Sequence, residues 1–469
     1  MLKNIFFTAT GLVSTIGCYA ESSHEKSVQP NVVLILIDDL GWKDVGFMGS
    51  KFYETPNIDK LARTGVIFTN AYAACSVCSP TRASIQTGRY PARLGVTDWI
   101  RARFQLNTAE VKAPPPYEEN GNKKLRTPSN PYWMETSEIT IAEILKKSGY
   151  FTCHIGKWNL GPDDYYPEKQ GYDLNIAGSD MGQPVNYFDP YSDAKGVSFP
   201  NLKPRQKGEY LEDRLASELK TVIEQHKDKP FFINMCNYAV HTPLMAKQEI
   251  IKKYESKKVV DGQKNIVYAA MIESMDQAVG TLMNTLKENN LLKSTVVIFL
   301  SDNGGLIGST DNSPLRSGKG YPYEGGIRIP MIVSWNGKIT GNKVSDLPVT
   351  TVDLLPTICA LTKSPLPETE LDGRDISPAL KGKKLNQVPL YWHFPHYREG
   401  GVVPYSIIRD GDWKLIKRYE GTTFELFNLK NDLGEKIELS GKNPDKVKEL
   451  DTKLQSWLKY TNAKMPIVK

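Results

Sequence analysis

Cysteine and histidine are scarce in this chain, which has six of each in 469 residues. Cys18 lies in an N-terminal stretch that we interpret as a signal peptide. The other five cysteines are widely scattered and odd in number. This distribution excludes the disulfide framework that holds many small secreted domains together. The fold must therefore depend on a hydrophobic core, for which a chain of this length with 40% hydrophobic residues suffices.

Runs of basic residues and long apolar segments are also missing. The formal net charge of +6 is spread along the chain, which argues against nucleic acid as the main partner. A modest positive charge suits an anionic substrate, or it is only the charge of a solvated surface. Beyond the N-terminus no segment has the roughly 18 consecutive apolar residues of a membrane helix, so we expect no transmembrane span.

The N-terminus has the pattern of an export signal. Lys3 precedes an apolar stretch at residues 5–16, which is too short to cross a bilayer but suits a signal-peptide core. Residues 18–20 offer a cleavage site after Ala20, whereas residues 15–18 form a loose lipobox that would make Cys18 a lipidated N-terminus. We expect a signal peptide at residues 1–20 and export to the periplasm, as a soluble protein or one anchored through Cys18.

Apolar runs and amphipathic stretches alternate along most of the chain. The predicted strands are residues 32–37, 150–155, 230–235 and 295–300. The predicted helices are residues 56–62, 141–147 and 264–289. This alternation is typical of an α/β fold, in which helices sandwich a mostly parallel central sheet.

The pattern changes towards the C-terminus. Three short predicted strands at residues 405–428, separated by turns, precede a predicted helix at residues 444–460. We expect a catalytic domain at residues 21–384 and a small C-terminal subdomain at residues 385–469, made of an antiparallel sheet plus one helix. The polar, proline-rich residues 107–130 are predicted to form a surface insertion near the substrate.

Two pairs of oxygen-bearing side chains directly follow predicted strands. Asp38 and Asp39 follow the first, and Asp302 and Asn303 follow the last. Parallel sheets place ligands at the carboxyl ends of their strands. One such pair is as often a helix cap or turn, but two pairs favour a site for Ca²⁺ or Mg²⁺ rather than zinc or copper.

The segment at residues 78–89 reads CSPTRASIQTGR. It resembles the signature of the type I sulfatases, Cys-x-Pro-[Ser/Thr]-Arg-x-x-x-x-Thr-Gly, at every defined position. The resemblance implies that a formylglycine-generating maturation enzyme oxidises Cys78 to Cα-formylglycine. It also implies the fold of the alkaline phosphatase superfamily and hydrolysis of sulfate esters, as in the exported bacterial sulfatases that degrade polysaccharides.

The resemblance continues in order along the chain and extends to the metal. Asp38 and Asp39 match the family's first pair of metal ligands, and Asp302 and Asn303 match the second. With residue 78 they imply a Ca²⁺ site, with Mg²⁺ as the weaker candidate. The implied nucleophile is the hydrated aldehyde, which takes up the sulfuryl group in a sulfated-enzyme intermediate and releases sulfate as the carbonyl forms again.

Other matching segments imply catalytic roles. Residues 156–161 resemble Gly-Lys-Trp-His-Leu-Gly, 241–243 match His-x-Pro and 316–330 resemble Gly-Lys-x-x-x-Tyr-Glu-Gly-Gly. The roles implied are these: Lys157 and Lys319 face the sulfate oxygens, Arg82 orients the hydrated aldehyde, Asp302 accepts the proton of the attacking hydroxyl, and His241 protonates the leaving alkoxide.

Asn159 departs from the family pattern, which commonly has a histidine there. An asparagine side chain forms hydrogen bonds but is no base at neutral pH. Three interpretations remain open: a subfamily in which Asn159 positions the nucleophile, slower release of sulfate, or a degenerate enzyme. His154 lies close in sequence, but strand alternation aims it away from Lys157, so we expect it in the core.

Two further groups are candidate substrate contacts. His393 and His396 belong to an aromatic cluster that either stacks on a sugar ring or packs at a domain junction. Trp99, Arg101 and the nearby Arg103 either contact substrate or belong to ordinary surface and packing.

The function that the resemblance implies is hydrolysis of a sulfate ester on a sulfated saccharide. One alternative is a phosphonate or phosphate-ester hydrolase of the same superfamily. The other is a protein that binds sulfated glycans without catalysis, which only Asn159 suggests.

Overall fold

The computed structural model describes Met1, residues 29–106 and residues 112–469. The predicted signal peptide with Cys18, and residues 107–111 of the predicted insertion, lie outside the described residues. No helix in the described part of the chain is both long and apolar enough to cross a membrane. The five cysteines from Cys75 to Cys359 are buried and free, in agreement with the absence of a disulfide framework.

The strands and helices of the described residues have the following bounds. The strands are β1 (Asn31–Ile37), β2 (Gly65–Tyr72), β3 (Tyr117–Glu118), β4 (Leu125–Pro128), β5 (Phe151–Gly156), β6 (Leu174–Ile176), β7 (Phe231–Cys236), β8 (Thr295–Ser301), β9 (Arg328–Trp335), β10 (Lys343–Ser345), β11 (Val349–Thr350), β12 (Leu390–Phe394), β13 (Tyr405–Asp410), β14 (Trp413–Arg418), β15 (Thr423–Asn428) and β16 (Ile467–Val468). The α-helices are α1 (Pro56–Arg63), α2 (Cys78–Thr87), α3 (Pro91–Leu94), α4 (Ile141–Lys147), α5 (Leu211–His226), α6 (Gln248–Glu255), α7 (Ile266–Glu288), α8 (Glu324–Ile327), α9 (Leu354–Thr362), α10 (Ser377–Leu380) and α11 (Pro444–Tyr460).

A nine-stranded sheet forms the centre of the molecule, with the order β10-β2-β9-β8-β1-β7-β5-β6 and β11 also paired with β2. All neighbours are parallel except that β9 runs antiparallel to both β2 and β8. The predicted mostly parallel α/β fold is therefore confirmed. Pro330 in β9 lies opposite the bulge between Phe68 and Ala71, where a residue without an N–H does not interrupt the ladder.

The central strands are buried on both faces, which explains their continuous apolar runs. Val33 and Ile35 of β1 belong to the core cluster that includes helices α1, α5 and α7. Val32 and Leu34 point the other way, into the cluster that includes α2, α4 and α9. Helices thus cover both faces and leave only the ends of the strands for a site.

The C-terminal part forms the predicted small antiparallel sheet with one helix. Its order is β12-β13-β14-β15, and α11 packs on β13 and β14. Strand β12, which the sequence pattern did not predict, contains the aromatic cluster, and its Trp392 donates from Nε1 to the carbonyl of Ala73 at 2.7 Å. The domain boundary at residue 384 stays a prediction. Residues 112–130 of the insertion contribute β3 and β4, and β4 pairs with both β3 and the terminal strand β16 in a separate small sheet.

Candidate active site

Four neighbouring parallel strands, β8, β1, β7 and β5, end at the same edge of the sheet. Asp302 follows β8, Asp38 follows β1 and Lys157 follows β5, while His241 lies in the loop after β7. The register pairs Ile37 with Ser301, so the two predicted pairs of oxygen ligands come side by side. Position along the strands, rather than proximity in sequence, gathers these residues.

The acidic cluster at this edge is tightly bonded. Asn303 donates from Nδ2 to Oδ1 of Asp39 at 2.8 Å, and Oδ1 of Asp302 accepts from the backbone N–H of Asp39 at 3.2 Å. Two buried acceptors have no hydrogen-bond partner, Oδ1 of Asp38 and Oδ1 of Asn303. Orphaned oxygens are costly in a protein interior, and a hard cation is the ligand that such oxygens suit.

The electrostatics of the two adjacent aspartates differ. Burial raises the pKa of Asp38 to about 8, although Lys157 opposes the shift. Burial acts in the same direction on Asp39, but Lys319, His241 and Lys157 together outweigh it and lower the pKa of Asp39. An additional cation between them would favour the charged form of both carboxylates.

His241 lies beside the same aspartates. Asp38, Asp39 and His241 each offer one ligand atom, and these atoms lie within 4.8 Å of one another. The Nδ1 atom of His241 is 2.8 Å from the Thr242 carbonyl, so Nδ1 carries the hydrogen and Nε2 is the acceptor. Lys319 donates from Nζ to Nε2 at 3.0 Å and to Oδ2 of Asp39 at 2.8 Å. Burial and the Lys319 charge lower the pKa of His241 to about 3.

Cys78 is the first residue of helix α2 and lies at the bottom of a cavity. Its side chain is 5% exposed, and its Sγ is 3.4 Å from Oδ1 of Asn159. The sequence pattern identified residues 78–89 as a motif but did not predict this helix. The helix places residue 78 at its positive end, where an anionic ester is favoured.

The amide of Asn159 is held in one orientation. Both Nδ2 hydrogens go to backbone carbonyls, those of Ile100 at 3.0 Å and Asp180 at 3.1 Å. Oδ1 accepts from the Ser79 hydroxyl at 2.9 Å. Oδ1 also faces Cys78, so Asn159 offers residue 78 an acceptor and no donor.

Arg82 and Lys157 lie beneath the cavity rather than in its wall. Arg82 donates from Nε to Oδ2 of Asp302 at 2.9 Å and from Nη1 to the Lys157 carbonyl at 2.8 Å. Lys157 is fully buried and donates from Nζ to Oδ2 of Asp38 at 2.7 Å. The Lys157 ammonium thus neutralises Asp38 and is not part of the cavity wall, and its contact with the sulfate oxygens stays a prediction.

The cavity above Cys78 has a volume of about 260 Å³. Its wall is formed by Val77, Cys78, Trp99, Gln105, Asn159, Gly182, Gln183, His241, Leu306, Lys319 and Arg398. Trp99 is thus near the predicted centre, as the sequence suggested. Gln183 and Arg398 were missed, because no motif marks them and their loops are far from residue 78 in sequence.

His393 and His396 do not line this cavity, which corrects their prediction as substrate contacts. The ring nitrogens of His393 lie 2.7 Å from the Ser406 hydroxyl and 3.0 Å from the Lys464 carbonyl. His396 lies 2.7 Å from the hydroxyl of Thr97. Burial lowers the pKa of His393 to about 4 and that of His396 to about 3, as for packed neutral rings.

Arg101 and Arg103 are exposed and lie outside the cavity wall. The guanidinium of Arg101 is 5.9 Å from the centre of the Trp99 ring, and Arg103 pairs with Asp163. His154 is fully buried between Asn234 and the Gly156 carbonyl, so its prediction as a core residue is confirmed.

The fold and the site together define a class. A sheet edge with a cysteine at a helix start, lysines and orphaned oxygen acceptors suits an α/β enzyme that hydrolyses anionic esters.

Comparisons with known proteins specify this class further. The family model "Sulfatase" matches residues 30–364, and "N-sulphoglucosamine sulphohydrolase, C-terminal" matches residues 318–464. A sulfatase of Formosa agariphila is 33% identical over 96% of this chain and 93% of its own length. Human arylsulfatase A is 32% identical, over 82% of this chain and 74% of its own.

A solved structure of similar shape is titled "Crystal structure of Ps i-CgsB in complex with k-i-k-neocarrahexaose". It has a TM-score of 0.77 and 31% identity, and covers 92% of this chain and 93% of its own. The chain belongs to the sulfatase family, and it is a sulfuric ester hydrolase.

Proposed function

We propose that this enzyme hydrolyses sulfate esters of a sulfated saccharide, with a Cα-formylglycine made from Cys78 as its nucleophile. The observation that carries the proposal is the position of Cys78. It begins helix α2 at the bottom of the cavity, beside Asn159, and Lys319 and His241 stand in the same wall. Formylglycine at residue 78 would supply a hydrated aldehyde, whose first hydroxyl attacks sulfur and whose second provides the route by which sulfate leaves.

We propose Asp38, Asp39, Asp302 and Asn303 as the protein ligands of a Ca²⁺ ion, together with residue 78. The orphaned oxygens of Asp38 and Asn303 support a hard cation at this place. When bound, Ca²⁺ would supply positive charge against the negative charge that develops during attack. Mg²⁺ is the weaker candidate, because it demands stricter octahedral geometry.

The cavity holds the ester through charge. Lys319 is the cation of the wall nearest to Asp39, and that carboxylate keeps the pKa of Lys319 above its usual value despite burial. Its ammonium therefore stays charged and suits the sulfate oxygens. Arg82 keeps Asp302 in place through the bond from its Nε, so Arg82 acts through Asp302 in this proposal.

The proton for the leaving oxygen comes from the Lys319–His241 pair. Because the pKa of His241 is lowered to about 3, the imidazole is neutral at physiological pH. Its Nε2 accepts a hydrogen from Lys319, so the mobile proton resides on the lysine side. Lys319 can donate this proton directly to an alkoxide within hydrogen-bond reach, while neutral His241 holds the ammonium in place.

Asn159 positions the nucleophile. Since both of its N–H groups are used by carbonyls, its oxygen accepts a hydrogen bond from residue 78 and holds one hydroxyl of the hydrated aldehyde. This arrangement favours the positioning role among the three interpretations of the missing histidine. Asn159 takes no proton at neutral pH, so collapse to the carbonyl needs another acceptor.

A carbohydrate is the alcohol we propose. One relative of known structure was solved with an oligosaccharide, and a relative 30% identical over 78% of this chain is human N-acetylgalactosamine-6-sulfatase. The Trp99 ring in the cavity wall offers a face for a sugar. Export to the periplasm, with or without a lipid on Cys18, and a formylglycine-generating maturation partner belong to the same proposal.

The test is sulfate release across a panel of sulfated saccharides, with enzyme whose peptide mass confirms the aldehyde at residue 78. Cys78→Ala is expected to lower turnover at least about 10³-fold, because the nucleophile is lost. Cys75→Ala is the matched control, since Cys75 is also buried and does not line the cavity.

Three outcomes would contradict the proposal. Undiminished release by Cys78→Ala would exclude the nucleophile. Faster cleavage of an aryl phosphate than of the matching aryl sulfate would favour the phosphate-ester alternative. Binding of sulfated glycans without release, also after Asn159→His, would favour the non-catalytic alternative.

A further inference from the structure

Arg398 comes from the C-terminal part of the chain and reaches the wall of the catalytic cavity. Its side chain is 27% exposed, so the guanidinium is open to a ligand from solvent. It shares the wall with Cys78 and Lys319. No role described so far for the sulfate ester requires this second cation.

The loop of Arg398 is fixed against the segment that carries Lys319. A Cβ atom added to Gly320 would lie 2.5 Å from Nε of Arg398, so only glycine permits this approach. The Tyr321 hydroxyl donates to the Gly400 carbonyl at 3.4 Å, and the Arg398 N–H donates to the Val402 carbonyl at 3.0 Å. The distance between the two cations is therefore set by packing.

The N–H groups of the Arg398 guanidinium are available to a ligand. Oδ1 of Asp98 lies 3.7 Å from its Nη1, beyond hydrogen-bond range, and already accepts from the Trp99 N–H at 2.8 Å. Within residues 29–106 and 112–469 this guanidinium donates no hydrogen bond. By contrast, Arg82 spends its donors on Asp302 and the Lys157 carbonyl.

A guanidinium with free donors is suited to a planar or tetrahedral oxyanion, which it binds through two parallel hydrogen bonds. Asp98 cancels only part of its charge, because the two groups are separated by 3.7 Å and Arg398 is open to solvent. Trp99 stands in the same wall and provides an apolar face for the ring that would link two anionic groups.

We propose that Arg398 binds a second anionic group of the substrate, a further sulfate or a carboxylate, on the same sugar as the scissile ester or on its neighbour. The preferred substrate is thus a saccharide with at least two negative charges. This inference rests on the proposed function, since the scissile ester must occupy the position above residue 78.

The experiment compares two substrates, a disaccharide with one sulfate and the same disaccharide with two sulfates. A third disaccharide, with one sulfate and a uronate carboxylate, distinguishes the two kinds of second anion. For Arg398→Ala the ratio of kcat/KM, doubly over singly charged, is expected to fall about tenfold or more, mainly through KM. Arg398→Lys should restore part of the ratio, because the charge remains but the paired donors are lost.

Arg101→Ala is the matched control. Arg101 is also an arginine beside Trp99, but it lies outside the cavity wall, so its removal should leave the ratio unchanged. Thermal unfolding of each variant shows whether a loss reflects unfolding, and a ratio of two substrates on one preparation cancels any inactive fraction.

The inference is overturned if Arg398→Ala keeps the wild-type ratio, or if Arg101→Ala lowers it equally. Titration calorimetry with the doubly sulfated disaccharide separates this failure from that of the proposed function. One outcome is that the wild type binds the doubly sulfated disaccharide more tightly than the singly sulfated one, that Arg398→Ala lacks this preference, and that the wild type releases no sulfate. That result would support the proposed role of Arg398 and contradict the proposed hydrolysis. Release of sulfate with an unaltered ratio would do the reverse.

Discussion

Two buried clusters of charged residues in this molecule are built from the same kinds of side chain and differ in what they leave unpaired. At the sheet edge, Asp38 and Asp39 meet Lys157 and Lys319. At the junction with the C-terminal sheet, Lys414 lies between two glutamates and is fully buried. Lys319 of the first cluster lines the cavity that contains Cys78. The second cluster is formed by β14, α8 and the loop after β15, and its Glu435 lines a different pocket.

The junction cluster is closed by the protein itself. Lys414 donates to Oε1 of Glu324 at 3.0 Å and lies 2.7 Å from Oε1 of Glu435. The Tyr72 hydroxyl donates to Oε2 of Glu324 at 2.7 Å, and Arg328 approaches the same oxygen at 3.3 Å.

At the sheet edge, Oδ1 of Asp38 and Oδ1 of Asn303 have no hydrogen-bond partner. Oε1 of Glu435 also lacks a hydrogen bond, but the Lys414 ammonium lies 2.7 Å away, whereas the Arg82 guanidinium is 3.8 Å from the orphaned Oδ1 of Asp38. The difference teaches that burial of charge alone does not mark a site, whereas a buried acceptor without a close cation does.

The largest difference between the two clusters is expected when Lys414 is replaced. Lys414→Met leaves two buried carboxylates without their shared cation and is expected to lower the free energy of unfolding by about 3–5 kcal/mol. Lys417→Met on the same strand is the control, since Lys417 pairs with Asp451 near the surface, at 3.0 Å, and should cost under about 1 kcal/mol. Urea unfolding measures both, and equal losses would refute the structural role of the junction cluster.

Calcium should stabilise the protein through the sheet-edge cluster and not through the junction cluster. If the sheet edge binds Ca²⁺, an ion concentration of 100 times Kd raises the free energy of unfolding by about 2.7 kcal/mol. The gain should shrink in Asp38→Asn, which removes the negative charge of one proposed ligand, and persist in Glu435→Gln at the junction. Thermal or urea unfolding with Ca²⁺ and with a chelator checks this, and an equal gain in both variants would place the ion elsewhere.

The smallest expected effect concerns pH at the junction. Burial raises the pKa of Glu435 to about 7, and the charge of Glu324 adds to this shift while Lys414 opposes it. The pKa of Glu324 is lowered instead, because Lys414, Arg328 and Arg409 together outweigh its burial. The folded state therefore takes up a proton as pH falls through 7, before the unfolded carboxyl does near its ordinary value. This group thus contributes stability that is present at low pH and lost as pH rises.

From pH 8 to pH 5.5 the wild type should gain about 1–2 kcal/mol of unfolding free energy relative to Glu435→Gln, which has no carboxyl to titrate. Other groups titrate alike in both proteins and cancel in this difference. Urea unfolding at the two pH values measures it. Parallel pH curves for wild type and variant would show that Glu435 does not titrate in this range.

Much of the fold could be predicted because its signals are local. Continuous apolar runs predicted β1, β5, β7 and β8, and the predicted helix at residues 444–460 coincides with α11. Strands β2, β9 and β12 were missed. In β9 the proline at position 330 conceals the strand periodicity, and in β12 the histidine among aromatic residues does so. Pairing partners distant in sequence decide whether such segments become strands.

Some residues of the candidate site could likewise be predicted from local signals, whereas the position of others depends on packing. The motif around Cys78, the pairs at Asp38 and Asp302, and Lys319 could be named beforehand, because a signature or a strand end marks each of them. Whether Lys157 faces the cavity or Asp38 depends on which charge lies nearest in space. His393 and His396 are chemically suited to a sugar, yet the packing of the C-terminal sheet buries both.

The sequence by itself determined the sulfatase class and the α/β fold of this protein, and it supplied the proposed nucleophile and the proposed oxygen ligands. These follow from short motifs and from the rule that parallel strands end at one edge. Only the tertiary structure decided which charges stay available to a ligand. Arg398 and Lys319 are 79 positions apart in the chain but share one wall, since contacts between distant segments depend on the packing of the whole fold.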